Sequence, residues 1–363
     1  MPASFQSIPV LDYSLALGPE KPVFLSQLRH ALMNVGFLYL TNTSVPNSLV
    51  DQVREMSPKF FDLSQEKKDA LGMVHSPHFM GYSRFATQMT KGIVDQREQF
   101  EFCVPYECRW KEGDPLYMRV WGPCQWPAEE DVPNFQHVFT EYGLAISRLS
   151  THFLELICES VGLAPNALDP FLKDTVEPCH RGKIAKYPDT VPGSDSDNGV
   201  APHFDPDFLT FLMQVTDQPG LQVQNQDGDW IPAPPIPYSW VVNIGRALNT
   251  VTKNVVLATS HKALLPPPGT GARYSIPFLQ GLNPHIRLSD YELDFPPEII
   301  ALRDARDGNN IDSANYAEFE TSCAGEANLV GRVKTHPEVA ERFYPEYFAK
   351  YFPNGMPVQA SAY

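Results

Sequence analysis

The 363-residue chain reads as an α+β fold in which helices wrap an antiparallel β sandwich or barrel. Three observations predict it. Short apolar or alternating runs at 183–187, 208–215, 220–224, 238–244, 255–265 and 273–279 are separated by Pro, Gly, Asn and Asp, the texture of an all-β core. Upstream of them the apolar residues recur at helical spacing. The tail, 296–350, returns to helix and loop.

In chain order, residues 8–12 form a short strand. Phe24, Leu28, Leu32 and Val35 mark a helix that stops at Gly36, and Phe37–Leu40 is a buried strand. Leu49, Val53, Met56 and Phe60 line a second helix, kinked near Pro58. Ser64 caps a short helix over 64–71. After Pro133, Phe135, Phe139, Tyr142, Ile146, Leu149, Phe153, Leu156 and Ile157 keep one face of a long helix apolar. These stripes are packing faces. With no internal repeat, the plan is a single domain over 1–363: an N-terminal region 1–178, a β core 179–295 and a C-terminal helical cover 296–363.

Composition narrows the function. Apolar residues make up 43% and charged ones 20%, which excludes disorder for the bulk of the chain. The net charge is −15 with no dense Lys/Arg cluster, so neither nucleic acid nor a membrane surface is an expected partner. No run is long enough to span a membrane, and the N-terminus lacks the pattern of a secretory signal. The six cysteines have no CxxC pair and read as reduced thiols of a cytoplasmic protein. The oligomeric state is not legible; a monomer is the default.

Chemistry concentrates in the β core. Two of the ten histidines have a carboxylate two residues on, His203-Phe204-Asp205 and His336-Pro337-Glu338, and chance alone supplies about one such triplet. Context separates them: His336 sits beside a proline in the helical tail with no histidine after it, whereas His203 precedes the apolar run Phe208–Leu212. On a strand, i and i+2 face the same way, so His203 and Asp205 can aim at one metal, with His261 as the third ligand. Two His and one carboxylate on one face leave three positions of an octahedron open, which suits Fe(II) and O2. Arg273-Tyr274-Ser275 follows a turn-like Pro/Gly stretch; a hairpin there brings Arg273 and Ser275 beside His261 as a clamp for a carboxylate.

With these residues in view, the chain resembles the Fe(II)/2-oxoglutarate oxygenase superfamily, in its isopenicillin N synthase-like branch. The landmarks are Ile8-Pro9-Val10-Leu11-Asp12, Gly36-Phe37-Leu38-Tyr39, Gly122-Pro123 with Gln125-Trp126-Pro127, His203-Phe204-Asp205 with His261, Gly220-Leu221-Gln222-Val223, and Arg273-Tyr274-Ser275-Ile276-Pro277-Phe278. The resemblance implies a double-stranded β-helix (jelly roll), Fe(II) at His203, Asp205 and His261, and 2-oxoglutarate at Arg273 and Ser275, with Tyr187 as a further cosubstrate contact and O2 as the oxidant. It implies hydroxylation, desaturation or cyclisation of a small metabolite, with release of succinate and CO2. The sequence departs from the family's usual pattern at Ala185, at Arg246 after Asn243-Ile244-Gly245, and at Asn42-Thr43-Ser44.

Two other readings stay open: an oxidase that needs no 2-oxoglutarate, in which Arg273 and Ser275 hold a substrate carboxylate, and a non-catalytic jelly-roll binding protein. For the substrate wall, alternation over 97–103 and 183–187 nominates Phe100, Phe102, Lys183, Phe208 and Leu279, with Lys183 either anchoring a polar end of the substrate or snorkelling to solvent. Residues 334–351, with His336, Val339, Phe343, Tyr344, Tyr347, Phe348 and Tyr351 at roughly helical spacing, are expected to form a packing helix or a lid over the barrel mouth.

Overall fold

The structure, a computed structural model, describes residues 4–90, 92–172, 180–191, 197–306 and 322–356. Its strands are β1 (Val10–Asp12), β2 (Phe37–Thr41), β3 (Gly81–Ser83), β4 (Met89–Thr90), β5 (Ile93–Val94), β6 (Glu98–Cys103), β7 (Arg181–Tyr187), β8 (Asn198–His203), β9 (Leu209–Gln214), β10 (Leu221–Gln224), β11 (Trp230–Pro232), β12 (Trp240–Ile244), β13 (His261–Leu264) and β14 (Arg273–Leu279). Its helices are α1 (Lys21–Asn34), α2 (Asn47–Phe61), α3 (Gln65–Ala70), α4 (Phe135–Ser160), α5 (Asp169–Leu172), α6 (Arg246–Val251), α7 (Pro297–Asp304), α8 (Ala324–Thr335), α9 (Pro337–Phe343) and α10 (Pro345–Tyr351). No helix among the described residues is long and apolar enough to cross a membrane.

An eight-stranded sheet, ordered β1-β2-β12-β9-β14-β7-β6-β3, faces a four-stranded one, β11-β10-β13-β8, and β4-β5 is a separate small hairpin. All pairings in the two large sheets are antiparallel except β1 with β2. Strands before residue 178 (β1, β2, β3 and β6) complete the large sheet, so the N-terminal region is woven into the β core.

Period-two alternation assigns the faces. On β14, Arg273, Ser275, Pro277 and Leu279 line the space between the sheets, while Tyr274, Ile276 and Phe278 belong to the main core on the outer side. That outer side is covered by α4, whose apolar stripe meets the sheet through Phe139 on Phe102 at 5.2 Å and Phe153 on Phe211 at 5.7 Å between ring centroids. Gly182 permits this packing, because a Cβ there would lie 2.5 Å from the Phe102 ring. Ser64 caps α3 by accepting the Lys67 amide, and Pro58 lies inside α2, as the sequence predicts.

Several local expectations change. Strand β8 ends at His203, so Asp205 lies in the loop before β9 and owes its position to that loop rather than to strand alternation. The run 255–265 becomes a strand only from His261. Strands β13 and β14 do not form a hairpin: they belong to different sheets, and the Pro/Gly stretch between them carries the chain across the sandwich. Residues 334–351 are broken by Pro337 and Pro345 into the end of α8 followed by α9 and α10. His336, Val339 and Tyr344 from that stretch are buried in an outer cluster with Phe79, Trp121 and neighbours. Cys179 lies outside the described residues. Cys108, Cys124, Cys158 and Cys323 are free thiols, and the Cys103 sulfur lies 3.1 Å from that of Cys124.

Candidate active site

Between the sheets lies a cavity of about 780 Å³, lined by His203, Asp205, His261, Arg273, Ser275, Tyr187 and Lys183 among others. The sequence predicts that the first three share a metal, and they converge: one ligand atom from each lies within 4.8 Å of the others. The register pairs His203 on β8 directly with His261 on β13, setting the ring centroids 4.3 Å apart with the planes tilted by 50°. Asp205 Oδ1 completes the group, 3.7 Å from His203 Nε2 and 3.9 Å from His261 Nε2.

Surrounding bonds aim these atoms. His203 Nδ1 lies 2.9 Å from the Ala201 carbonyl and His261 Nδ1 3.4 Å from the Thr259 carbonyl. Both contacts select the tautomer with hydrogen on Nδ1 and a lone pair on Nε2. Asp205 Oδ2 accepts from Thr210 Oγ1 at 2.6 Å and from Asn243 Nδ2 at 2.8 Å, which leaves Oδ1 for a metal. Burial favours a neutral Asp205, but His261, His203 and these two donors outweigh it and hold the carboxyl below its ordinary value. Burial, then the neighbouring His261, lowers His203. A compact N, N, O set with an ionised carboxylate fits Fe(II).

The loop carrying Asp205 is clamped from behind. The Gly245 amide donates to the Phe208 carbonyl at 2.8 Å, and a Cβ at Gly245 would sit 2.0 Å from the Asp207 carbonyl oxygen. The unusual Arg246 has a structural use: it is buried, its amide bonds the Asp205 carbonyl, and its guanidinium lies 4.5 Å from the centre of the Phe204 ring.

Deeper in the cavity Arg273 is 1% exposed. Its Nη2 donates to Gln214 Oε1 at 3.3 Å, while Nε and Nη1 are buried without a hydrogen-bond partner among the described residues. Burial lowers its pKa, and the neighbouring Tyr187 works against that shift. The guanidinium stands 5.1 Å from the Tyr187 ring centre, and Ser275 shares its face of β14. A buried guanidinium with orphaned donors calls for an anion, and the terminal carboxylate of a 2-oxo diacid chelating the metal fits. Ala185, buried beside Tyr187, leaves space rather than a donor.

The substrate wall divides. Lys183 and Leu279 line the cavity. Phe100 and Phe102 do not: they share a face with Glu98, as expected, but it is the outer face, packed against Phe60, Trp126, Phe135 and Phe139. Gln99 and Glu101 point inward instead, Glu101 standing opposite Lys183 in the register. Phe208 packs on Phe171 of α5, 5.8 Å away, and is not a wall residue. Alternation defines two faces but not which one is inside, and here both are buried.

Sequence reasoning missed Thr210, Gln214 and Asn243, which the alternation of β9 and β12 could have supplied. It also missed Arg97, Asp207 and Arg332. Arg97 is buried and paired with Asp95 at 2.9 Å. Arg332, with Ala327, Asn328 and Gly331, lines the cavity from α8, so the cover reaches it from earlier in the chain than 334–351; Lys334, Thr335 and Tyr351 of that stretch, and Phe352, line it too.

The family profile of the 2OG-Fe(II) oxygenase superfamily matches residues 178–281, and that of the non-haem dioxygenase in morphine synthesis N-terminal region matches 8–129. A 2-oxoglutarate-dependent dioxygenase, frbJ, of Dothideomycetidae sp. (strain 11243) is 40% identical over 95% of each chain. A homoarginine-6-hydroxylase of Arabidopsis thaliana is 31% identical over 73% of this chain and 82% of its own. Among solved structures, a full-length Neurospora crassa protein in complex with alpha-KG superposes with a TM-score of 0.66 at 25% identity, covering 85% of this chain and 94% of that one; the same protein with alpha-KG and thymine gives 0.65. The chain belongs to the 2OG-Fe(II) oxygenase superfamily. It is a 2-oxoglutarate-dependent dioxygenase with Fe(II) and O2 as its other requirements, and its fold is the double-stranded β-helix with surrounding helices. The matches do not favour a 2-oxoglutarate-independent oxidase or a non-catalytic binding protein.

Proposed function

We propose that His203, Asp205 and His261 hold the Fe(II), that Arg273, Ser275 and Tyr187 hold 2-oxoglutarate, and that the chain, acting as a single unit over 1–363, hydroxylates a small metabolite bound between Lys183, Leu279 and the α8 cover. The observation that carries this reading is the pair of orphaned Arg273 nitrogens buried in the same cavity as the triad. When bound, Fe(II) with 2-oxoglutarate and O2 supplies the oxidising power: one oxygen atom ends in succinate, one in the hydroxylated product, and the lost carboxyl leaves as CO2. The protein's own part is positional. The Ala201 and Thr259 carbonyls fix the histidine tautomers, Thr210 and Asn243 fix the carboxylate, Arg273 neutralises the cosubstrate, and α8 keeps water from the reacting carbon.

The same reading takes the enzyme as monomeric and cytoplasmic, with neither nucleic acid nor membrane as a partner; the charge of −15 supports the last two points. The test is anaerobic Fe(II) and 2-oxoglutarate titration, followed by a metabolite screen for substrate-stimulated release of succinate and CO2. One Fe(II) per chain and stimulated succinate are expected. Substrate oxidation independent of 2-oxoglutarate would refute it.

A further inference from the structure

Away from the triad and the Arg273 cradle, the cavity contains two charged groups that no described residue hydrogen-bonds. The Lys183 side chain is only 16% exposed, and its ammonium makes no hydrogen bond to a described residue. Its nearest carboxylate is Glu101, with Oε1 4.0 Å away. That carboxylate is already engaged: Arg332 Nη1 reaches its Oε2 at 2.6 Å and Gln99 Nε2 its Oε1 at 3.0 Å. Two cations from different elements, β7 and α8, therefore face one acid, and the Lys183 ammonium is the one left without a hydrogen bond to it.

Asp207 is the counterpart. Its side chain is buried, lines the same cavity, and makes no hydrogen bond to a described residue. It feels the charge of Arg332 most, then those of Asp205, Arg181 and Lys183, but is hydrogen-bonded to none of them. Arg97, another cation of the lining, is held through Nη2 by Asp95 and Gln88 at 2.9 Å each.

A neutral heterocycle or polyphenol would leave a desolvated ammonium and a desolvated carboxyl without hydrogen bonds, which is unfavourable. A molecule with both charges matches both. We infer that the substrate is a free α-amino acid, its carboxylate bound by Lys183 and Arg332 and its ammonium facing Asp207. The inference rests on the oxygenase reading and names its substrate class.

The experiment uses the full-length chain loaded with Fe(II) and 2-oxoglutarate. The standard proteinogenic amino acids, L-ornithine and L-homoarginine are tested for stimulated succinate release and, anaerobically, for calorimetric binding. The best of them is then tested as its methyl ester and as its N-acetyl derivative, with thymine as the neutral control. The free amino acid is expected to exceed each blocked form by about a hundredfold in kcat/KM, as a site built for a polar group rejects analogues lacking it. Lys183→Met should collapse the acid-to-ester ratio and leave the amine discrimination standing; Asp207→Asn should do the reverse. Lys183→Arg, which keeps the charge, should keep the ratio, an outcome that structural damage would not produce. Stimulation by thymine alone, by no amino acid, or equally by acid and ester would overturn the assignment. Absence of any 2-oxoglutarate consumption, uncoupled turnover included, would overturn both it and the oxygenase reading.

Discussion

At the metal end of the cavity every principal side chain leaves a strand or the loop that ends one, and each is held by contacts to its surroundings. His203 and His261 are register partners, Asp205 takes two donors on one oxygen, and Arg273 stands beside Tyr187 across a β pair. At the recognition end the groups come from a strand, a loop and a helix, and Lys183 and Asp207 lack hydrogen bonds to described residues. The contrast separates two jobs. Chemistry common to a superfamily is built into sheet geometry and requires rigid placement. Selection of one substrate is delegated to side chains whose partners arrive with the ligand, and to a cover that needs no fixed register.

If the metal end is built this way, its variants should fail completely and without unfolding. His261→Ala removes one of the three proposed ligands from a site whose surrounding sheets are held by apolar faces. Iron binding and turnover are expected to vanish, while the thermal midpoint stays near that of the metal-free wild type. Full iron stoichiometry in the variant, read by metal analysis, would show that the metal lies elsewhere.

Arg273→Ala should come next in size. Removing one partner of a buried charge pair costs about 3–5 kcal/mol, which lowers the apparent affinity for 2-oxoglutarate by at least a few hundredfold. Iron binding should persist, since Arg273 touches none of the three ligands. An unchanged KM for 2-oxoglutarate would move the cosubstrate carboxylate to another cation. Asn243→Ala takes one donor from Asp205 Oδ2, the carboxylate oxygen that would not bind the metal. Loss of such a supporting bond typically weakens metal affinity by about 10–100-fold. Competition with a chelator measures it, and wild-type affinity would leave Thr210 as the sufficient support.

The same contrast explains what the sequence reveals. The triad and Arg273 are legible because short spacings carry chemistry: a His-x-Asp triplet, a second His before a Pro/Gly crossing, an Arg-x-Ser on one face. The route is partly mistaken, since Asp205 is off the strand and β13 and β14 lie in different sheets, yet the residues converge because both sheets face one cavity. The wall is harder. Phe100 and Phe102 resemble pocket residues for being aromatic, but α4 covers the outer face with aromatics of its own, so hydrophobicity favours outside as much as inside. Glu101, whose charge suggests a solvent face, is 1% exposed and bound to Arg332. Arg332 offers no pattern at all, because its partner lies in a distant part of the chain and only the tertiary fold joins them. Lys183 is legible for a different reason: it sits two positions along the strand from Ala185 and four from Tyr187, so the inward face of Tyr187 carries it into the cavity.

Lys183 also gives the mildest and most discriminating prediction, because an unbonded buried ammonium leaves a mark on stability even with no substrate present. Burial pushes its pKa down from 10.5 to about 8, with Glu101 only partly opposing. Below about 8 the lysine is charged in both folded and unfolded chains, and the folded one carries the full desolvation penalty. Between about 8 and 10.5 the unfolded chain holds a proton that the folded chain has released, so the folded state gains stability as pH rises through that window. Lys183→Met has no such proton to lose. The variant should therefore be more stable than the wild type at neutral pH, and the gap should narrow steadily through the window. Urea denaturation of the metal-free proteins at a series of pH values measures both curves. A gap that stays constant with pH would mean that the Lys183 ammonium is already solvated in the empty cavity, and would return the recognition end to the same well-satisfied design as the metal end.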